Sequence, residues 1–474
     1  MIIMDEVKGG GPLPPRHSEA SHSQSAAAAH ASSHHLIDRI APSRATEQFF
    51  QAIPRRNDEG GYTNSSQFKG ACGILNEEII HRARSQGLPS SVKVDLSAIY
   101  SQLEADPSLA PSPLSQQRVE YLIESTTTLL IEIYHNCQTL EPRYGPLSEI
   151  KCTDGDPHNG KRPCFLTFTK ASTSWLPSFL TSPTESRFVY KPRNMAIEQA
   201  TLSPERSLFQ SLNALCLETG LFEEPPLRTR TIICGENWGL HEFVPGEYRD
   251  PKIHGIGYTV SVFGKKLLAK GFDKESPFYR YIFLEEVIRH CGLGPDAHIG
   301  NFIFNADELY AEPIDLEVYN PHESEHSIMT EMNHIVKTHF RGVLSPKVEH
   351  LIDQARTTYR RFLATDGRQA VDNFRTAIQD SRNPYIRCVP LSTSLLGMYL
   401  NIADNEEEFA SMLCEELKDM LPRLGYEFTP PTTLGGNLMR CYLEKNIPLF
   451  QLSHNGEFVY YEEESIARKL HRQS

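Results

Sequence analysis

The sequence predicts a mixed α+β fold of two lobes. Three observations carry that expectation. Between residues 151 and 245, short β-branched and aromatic runs such as Cys164–Phe168 and Ser186–Tyr190 have the character of strands. On both sides apolar residues recur at helical spacing, most clearly over Val119–Cys137. The chain of 474 residues is long enough for two to four domains and a large core. The expected organisation is a disordered arm over 1–44, a helical amino-terminal region over 45–150, an amino lobe over 151–245 and a mostly helical carboxy lobe over 246–474.

Each part follows from its residues. After Met4 the first 44 residues are poor in apolar side chains and rich in Ser, Ala, His, Pro and Gly. Such a segment cannot offset the entropy of ordering it. Its histidines His17, His22, His30, His34 and His35 belong to a solvated arm in this reading. In Val119–Cys137 the positions Val119, Leu122, Ile123, Leu129, Leu130 and Ile133 supply a buried helical side. Ser203-Pro204 has the chemistry of a helix start, and Leu208, Phe209, Leu212, Leu215 and Cys216 would share one face of that helix. Trp238–Gly246 reads as a strand running into a Pro-Gly turn. Ser276-Pro277 starts a further helix whose Phe278, Tyr281, Leu284 and Ile288 lie near one face, and Gly292 can end it. A short extended segment, Tyr310–Ile314, leads into Asp315.

The chemistry lies in the order of a few polar groups. Lys191 ends a predicted strand and is followed by Pro192 and Arg193. Asp296 could orient or deprotonate a hydroxyl, and Asn301, five residues later, offers an amide oxygen. Asp315, fourteen beyond Asn301, offers a carboxylate, with Glu317 close by. Mg²⁺ takes oxygen ligands from one or two such side chains plus the phosphates of a nucleotide. Protein kinases use this order of Lys, Asp, Asn and Asp for phosphoryl transfer. His298, between Asp296 and Asn301, is placed for acid–base work or phosphate contact. Glu205 could approach Lys191 as a kinase helix glutamate does, although an acid in a first helical turn is favourable for local reasons too. The backbone of Glu242 and Phe243 would stand where a kinase hinge reads adenine edges.

Five segments in order resemble the dehydratase domain of LanM-type (class II) lanthipeptide synthetases. They are Gly155–Arg162, Val189–Arg193, the Asp296/His298/Asn301 and Asp315/Glu317 pair of motifs, Arg387 with Thr393, and Asn446–Phe450. The resemblance spans roughly residues 140–465 and stops short of the zinc cyclase domain that follows in full synthetases. It implies a lipid-kinase-like fold that binds ATP and Mg²⁺, phosphorylates Ser or Thr of a precursor peptide and then eliminates phosphate. By the same resemblance Lys191 and Arg193 would serve the nucleotide, and Asp296, His298 and Asn301 the catalytic loop. Asn301, Asp315 and Glu317 would serve the metal, and Asp156, His158, Arg387 and Thr393 elimination. The chain departs from the family pattern at three places. Lys161 takes a glycine position, Leu391 replaces a second arginine, and Lys170–Glu185 lengthens a hairpin.

Composition limits the alternatives. A net charge of −13 argues against a general nucleic-acid binder and is compatible with a basic peptide or protein substrate. Mean hydropathy is −0.40 and no apolar run approaches membrane-spanning length. Met1–Met4 is too short for a signal-peptide core. The expected location is therefore the cytoplasm, or a host cell for a secreted effector, since Ser/Ala-rich amino termini resemble secretion leaders. The ten cysteines are scattered without a Cys-x-x-Cys pair, which predicts buried free thiols rather than disulfides or zinc ligands. Two other readings stay open: an effector kinase that phosphorylates a host protein without elimination, and a non-catalytic kinase-like binding scaffold.

Overall fold

The computed structural model describes residues 42–54, 65–99, 103, 109, 113–153, 161–170, 184–235, 238–245, 262–273, 275–293, 301–316, 346–379, 385–387, 411–412, 415, 450–453 and 458–460. The fold is mixed α+β, as expected. Helices α1 (Arg44–Ala52), α2 (Ser65–Ser85) and α3 (Pro113–Cys137) precede most of a six-stranded sheet. The sheet contains β1 (Lys93–Asp95), β2 (Leu147–Cys152), β3 (Cys164–Lys170), β4 (Thr184–Lys191), β5 (Ile232–Cys234) and β6 (Gly239–Glu242), in the order β1-β2-β3-β4-β6-β5. Only β1 and β2 run parallel.

Alternation along the strands divides the sheet into two chemical faces. Ile150, Cys152, Cys164, Leu166, Phe168, Phe188, Tyr190 and Leu240 point to one side and share a core with the three helices. Val119, Ile123, Leu130, Ile133 and Cys137 supply the buried side of α3 in that core. The amino-terminal helices and the sheet are thus one packed unit. Its first helix is fixed at the start: Ser43 is extended, its hydroxyl accepts from the Thr46 N–H, and its own N–H and the Thr46 hydroxyl both donate to buried Glu120. Ser43 and Arg44 therefore belong to the folded body, two residues earlier than the sequence boundary. Gly145, with φ +85°, turns the chain into β2 where a Cβ would lie 2.5 Å from the Thr169 carbonyl oxygen.

A second core begins at Met195. It combines α4 (Ala196–Leu202), α5 (Leu208–Glu218), α6 (Pro277–His290), the hairpin of β7 (Phe302–Asn305) and β8 (Tyr310–Pro313), α7 (Pro346–Ala364) and α8 (Arg368–Gln379). A separate three-stranded sheet joins β9 (Tyr385–Arg387), β10 (Phe450–Ser453) and β11 (Phe458–Tyr460). The helix expected from Ser203-Pro204 begins later. Residues 204–207 bend, and Ser207 caps α5 by accepting from the Gln210 N–H at 3.2 Å. Its buried side, Leu208, Phe209, Leu212 and Cys216, follows the expected spacing. The earlier α4, which the residue pattern does not predict, hides Ile197, Glu198, Thr201 and Leu202.

Helix α6 starts at Pro277 as expected and is buried nearly all round. Gly292, at φ +74°, ends it, and the Leu293 N–H reaches back to the Ile288 carbonyl at 3.0 Å. Glu285 and Glu286 are buried on α6. Arg356 lies 3.1 Å from Glu285, and Arg360 2.8 Å from Glu286, so α7 neutralises them. The seven described cysteines are free thiols, six of them buried. Among the described residues no helix is long and apolar enough to cross a membrane.

Candidate active site

Lys191 is the last residue of β4. Its neighbours Phe188 and Tyr190 belong to the helical core, and alternation sends Lys191 through to the other face. There its ammonium donates to Asp315 Oδ1 at 2.8 Å and to the Ile314 carbonyl. The β7–β8 register explains how Asp315 comes to be near Asn301 although it lies fourteen positions further along the chain. Phe302 pairs with Pro313, and the Ile314 N–H donates to the Asn301 carbonyl at 2.8 Å. Asn301 and Asp315 thus flank the open end of one hairpin. Asn301 is buried, whereas 28% of the Asp315 side chain is exposed.

Arg193 joins the same cluster. Its guanidinium donates to both Asp315 and Glu198. Asn194 accepts from the Ala196 N–H at 2.8 Å, which turns the chain from β4 into α4 and delivers Glu198 in the first helical turn. Glu198 is fully buried, 3.7 Å from the Lys191 ammonium. Two cations and two carboxylates therefore balance in a largely buried cluster. This Lys–Glu pair has the form that kinases make between a strand lysine and a helix glutamate. The sequence offers Glu205 as a candidate for this role, but Glu205 is exposed in the 204–207 bend. The available signal was charge balance: two adjacent cations, Lys191 and Arg193, call for a second acid besides Asp315.

A further pair missed from the sequence joins the sheet to the hairpin. Arg230, just before β5, makes two bonds of 2.9 and 2.7 Å to buried Glu312 on β8. The Tyr310 hydroxyl donates to the Pro245 carbonyl at 2.9 Å, holding the segment that leaves β6. At Glu242 the N–H donates to the Thr231 carbonyl and the carboxylate accepts from the Thr231 N–H, both at 2.9 Å. The Phe243 N–H donates to the Arg187 carbonyl at 2.9 Å, and its ring meets Phe165 edge-on at 5.7 Å. His241, between the strand core and this segment, is buried, and burial with the nearby Lys191 charge pushes its pKa down to about 4.

The structure thus brings Lys191, Arg193, Asn301 and Asp315 to one place. Asp156, His158, Asp296, His298, Glu317 and Thr393 lie outside the described residues. Arg387 lies on β9, opposite Gln451 of β10. Lys161, at the family's glycine position, is buried with its ammonium 2.7 Å from Glu132 of α3.

As donors, an Asp carboxylate and an Asn amide at one hairpin end fit a hard cation that also takes phosphate oxygens. Among the described residues no three His, Cys, Asp or Glu side chains converge as a metal site by themselves. Lys191 and Arg193, held on carboxylates, are cations that can exchange those partners for phosphate oxygens.

A family profile described as a domain of unknown function, DUF4135, matches residues 112–252. That domain is found in lanthipeptide synthetase-like proteins. The match takes in α3, most of the sheet, Lys191, Arg193 and Glu198, and stops before Asn301 and Asp315. No curated protein matches the chain.

Proposed function

We propose that this chain is an ATP- and Mg²⁺-dependent phosphotransferase acting on Ser or Thr hydroxyls of a peptide or protein, with phosphate elimination as its second step. The observation that carries the reading is the buried cluster in which Lys191 at a strand end meets both a helix glutamate, Glu198, and the post-hairpin Asp315. Phosphoryl transfer needs little covalent chemistry from the protein; it needs alignment and charge neutralisation. Lys191 and Arg193 would bind nucleotide phosphates, and Glu198 would keep Lys191 in place when Asp315 turns to the metal. Asn301 and Asp315 would hold Mg²⁺, which neutralises charge developing on the transferred group. Asp296 would orient the acceptor hydroxyl and take its proton. For elimination, Arg387 and His158 are the candidates for contact with the leaving phosphate and the α-proton.

Transfer without elimination is the second reading. It is favoured by Lys161, which occupies the family's glycine position and is tied to Glu132, so the end of the Gly155–Arg162 loop is anchored in this chain's own way. The test is the mass of Ser/Thr peptides after incubation with ATP–Mg²⁺ and the full chain. Loss of water from the peptide supports two-step chemistry. Phosphate gained and retained supports the kinase. No change with any peptide or protein acceptor, together with no ATP turnover, overturns both.

A further inference from the structure

We propose that His241 reads the base of the bound nucleotide by accepting a hydrogen bond from an exocyclic amine, and so selects adenine over guanine. The inference rests on the nucleotide-binding reading above and adds a specificity residue to it.

The strand register sets the location. Phe165 of β3 pairs with Val189 of β4, and Val189 pairs with His241 of β6. These three residues form one row across the sheet, on the face that also carries Lys191 two positions further along β4. Two residues of strand span about 7 Å, a distance suited to a base in this row with its phosphates at Lys191. The row offers a flat apolar surface. Phe165 is 39% exposed, one of two exposed large hydrophobic side chains among the described residues, and Phe243 braces it. Beside Lys191 the sheet carries Gly239, where a Cβ would lie 2.5 Å from the Met195 sulfur.

The ring of His241 is fixed in one tautomer. Its Nδ1 lies 2.6 Å from the Glu242 carbonyl oxygen. A carbonyl only accepts, so Nδ1 carries the proton, and the neutral ring presents a lone pair at Nε2. Burial and the Lys191 charge keep the ring neutral down to about pH 4. Nε2 is buried and has no hydrogen-bond partner among the described residues. A buried acceptor left without a donor destabilises the fold. Lys191 directs its bonds to Ile314 and Asp315, and Arg230 directs its own to Glu312. Among the described residues nothing supplies that donor, and a ligand amine can. Adenine presents an amine where guanine presents a carbonyl oxygen, so guanine would set lone pair against lone pair.

The test uses Mg²⁺ complexes of β,γ-methylene analogues of ATP, GTP and purine riboside triphosphate, which lacks the exocyclic amine. Each is titrated calorimetrically into the full chain, wild type and His241 variants, with melting curves as the folding check. In wild type the ATP analogue should bind about tenfold or more tighter than the other two. His241→Leu should bring ATP down to their level. His241→Gln should bind ATP and GTP alike, because its amide can turn to accept or donate. The proposal is overturned if wild type binds all three within about twofold, or if the ATP preference survives in His241→Leu. Should His241→Leu fail to fold, His241→Gln decides: an ATP preference over GTP kept in that variant overturns the proposal. Nucleotide binding that is lost in Lys191→Met yet shows no base preference removes this inference and leaves the phosphotransferase reading standing. Absence of any nucleotide binding by folded wild type removes both.

Discussion

Glu198 and Glu205 are seven residues apart, and only one of them matters to the site. Both are acids near the start of a helical segment, and an acid there is favourable for reasons unrelated to catalysis. The sequence therefore could not separate them. The structure does so by burial: Glu198 is 0% exposed and touches Arg193, whereas Glu205 sits in an exposed bend. Lys191, Asn301 and Asp315 stand out in the sequence because their order and spacing resemble a phosphate-handling pattern, and the structure brings them near one another. Arg230 and Glu312 were not, because nothing in sequence announces a pair 82 positions apart. Glu198→Gln preserves volume and removes one charge from a balanced cluster, leaving a buried net positive charge. The expected loss of stability is about 3–5 kcal/mol, read by urea unfolding. Phosphotransfer should fall about a hundredfold as Lys191 loses its fixed position. Glu205→Gln should change stability by no more than about 0.5 kcal/mol. Equal effects from the two substitutions would refute the assignment of Glu198.

Elements were legible where one physical signal dominated. The strand character of Cys164–Phe168 and Ser186–Tyr190, the helical run ending at Cys137 and the Ser276-Pro277 helix start all reappear in the structure. Helix α4 was missed because seven residues span barely two turns, too few for a periodic pattern. Helix α6 gave a usable start signal, but its one-sided apolar face understated its burial. Two glutamates, Glu285 and Glu286, are hidden on it because α7 brings Arg356 and Arg360 to meet them. This union carries a pH signature. Burial raises the Glu285 pKa above its ordinary 4.5, and Arg356 acts in the opposite direction. A carboxyl with a raised folded pKa keeps a proton that the unfolded chain has released. Stability therefore falls as pH climbs from the unfolded value through the folded one. Arg356→Met removes the opposing influence and widens that window upward. The variant should lose about 3–5 kcal/mol near pH 8 and distinctly less near pH 5, measured by urea unfolding at both. A loss independent of pH would mean that Arg356 acts through packing alone.

At the scale of the whole molecule, two cores meet where Lys191 and Arg193 leave the sheet and grip the hairpin at Asp315. Composition announced an α+β chain with more than one packed unit. It did not announce that the helices before the sheet share its core, because helical periodicity shows which side of a helix is buried and not what buries it. The same gap affects the amino-terminal boundary. Poor apolar content marks the first 44 residues as unnecessary to the core, yet the last two of them take part in it. Ser43 caps α1 through its hydroxyl, and its backbone N–H donates to Glu120, a buried carboxylate that also accepts from Thr46. Glu120 is 7% exposed, so loss of a donor there is felt in full. A chain beginning at Ala41 should retain the melting temperature and ATP turnover of the full chain. One beginning at Ala45 removes both the cap and the backbone donor, and should be destabilised by about 1–3 kcal/mol. In the shorter chain Ser43 can be restored by starting at Pro42, which should recover the loss. If the chains starting at Ala41 and Ala45 melt together, the cap does not hold α1 on the body. If both melt well below the full chain, residues before 41 contribute to the fold.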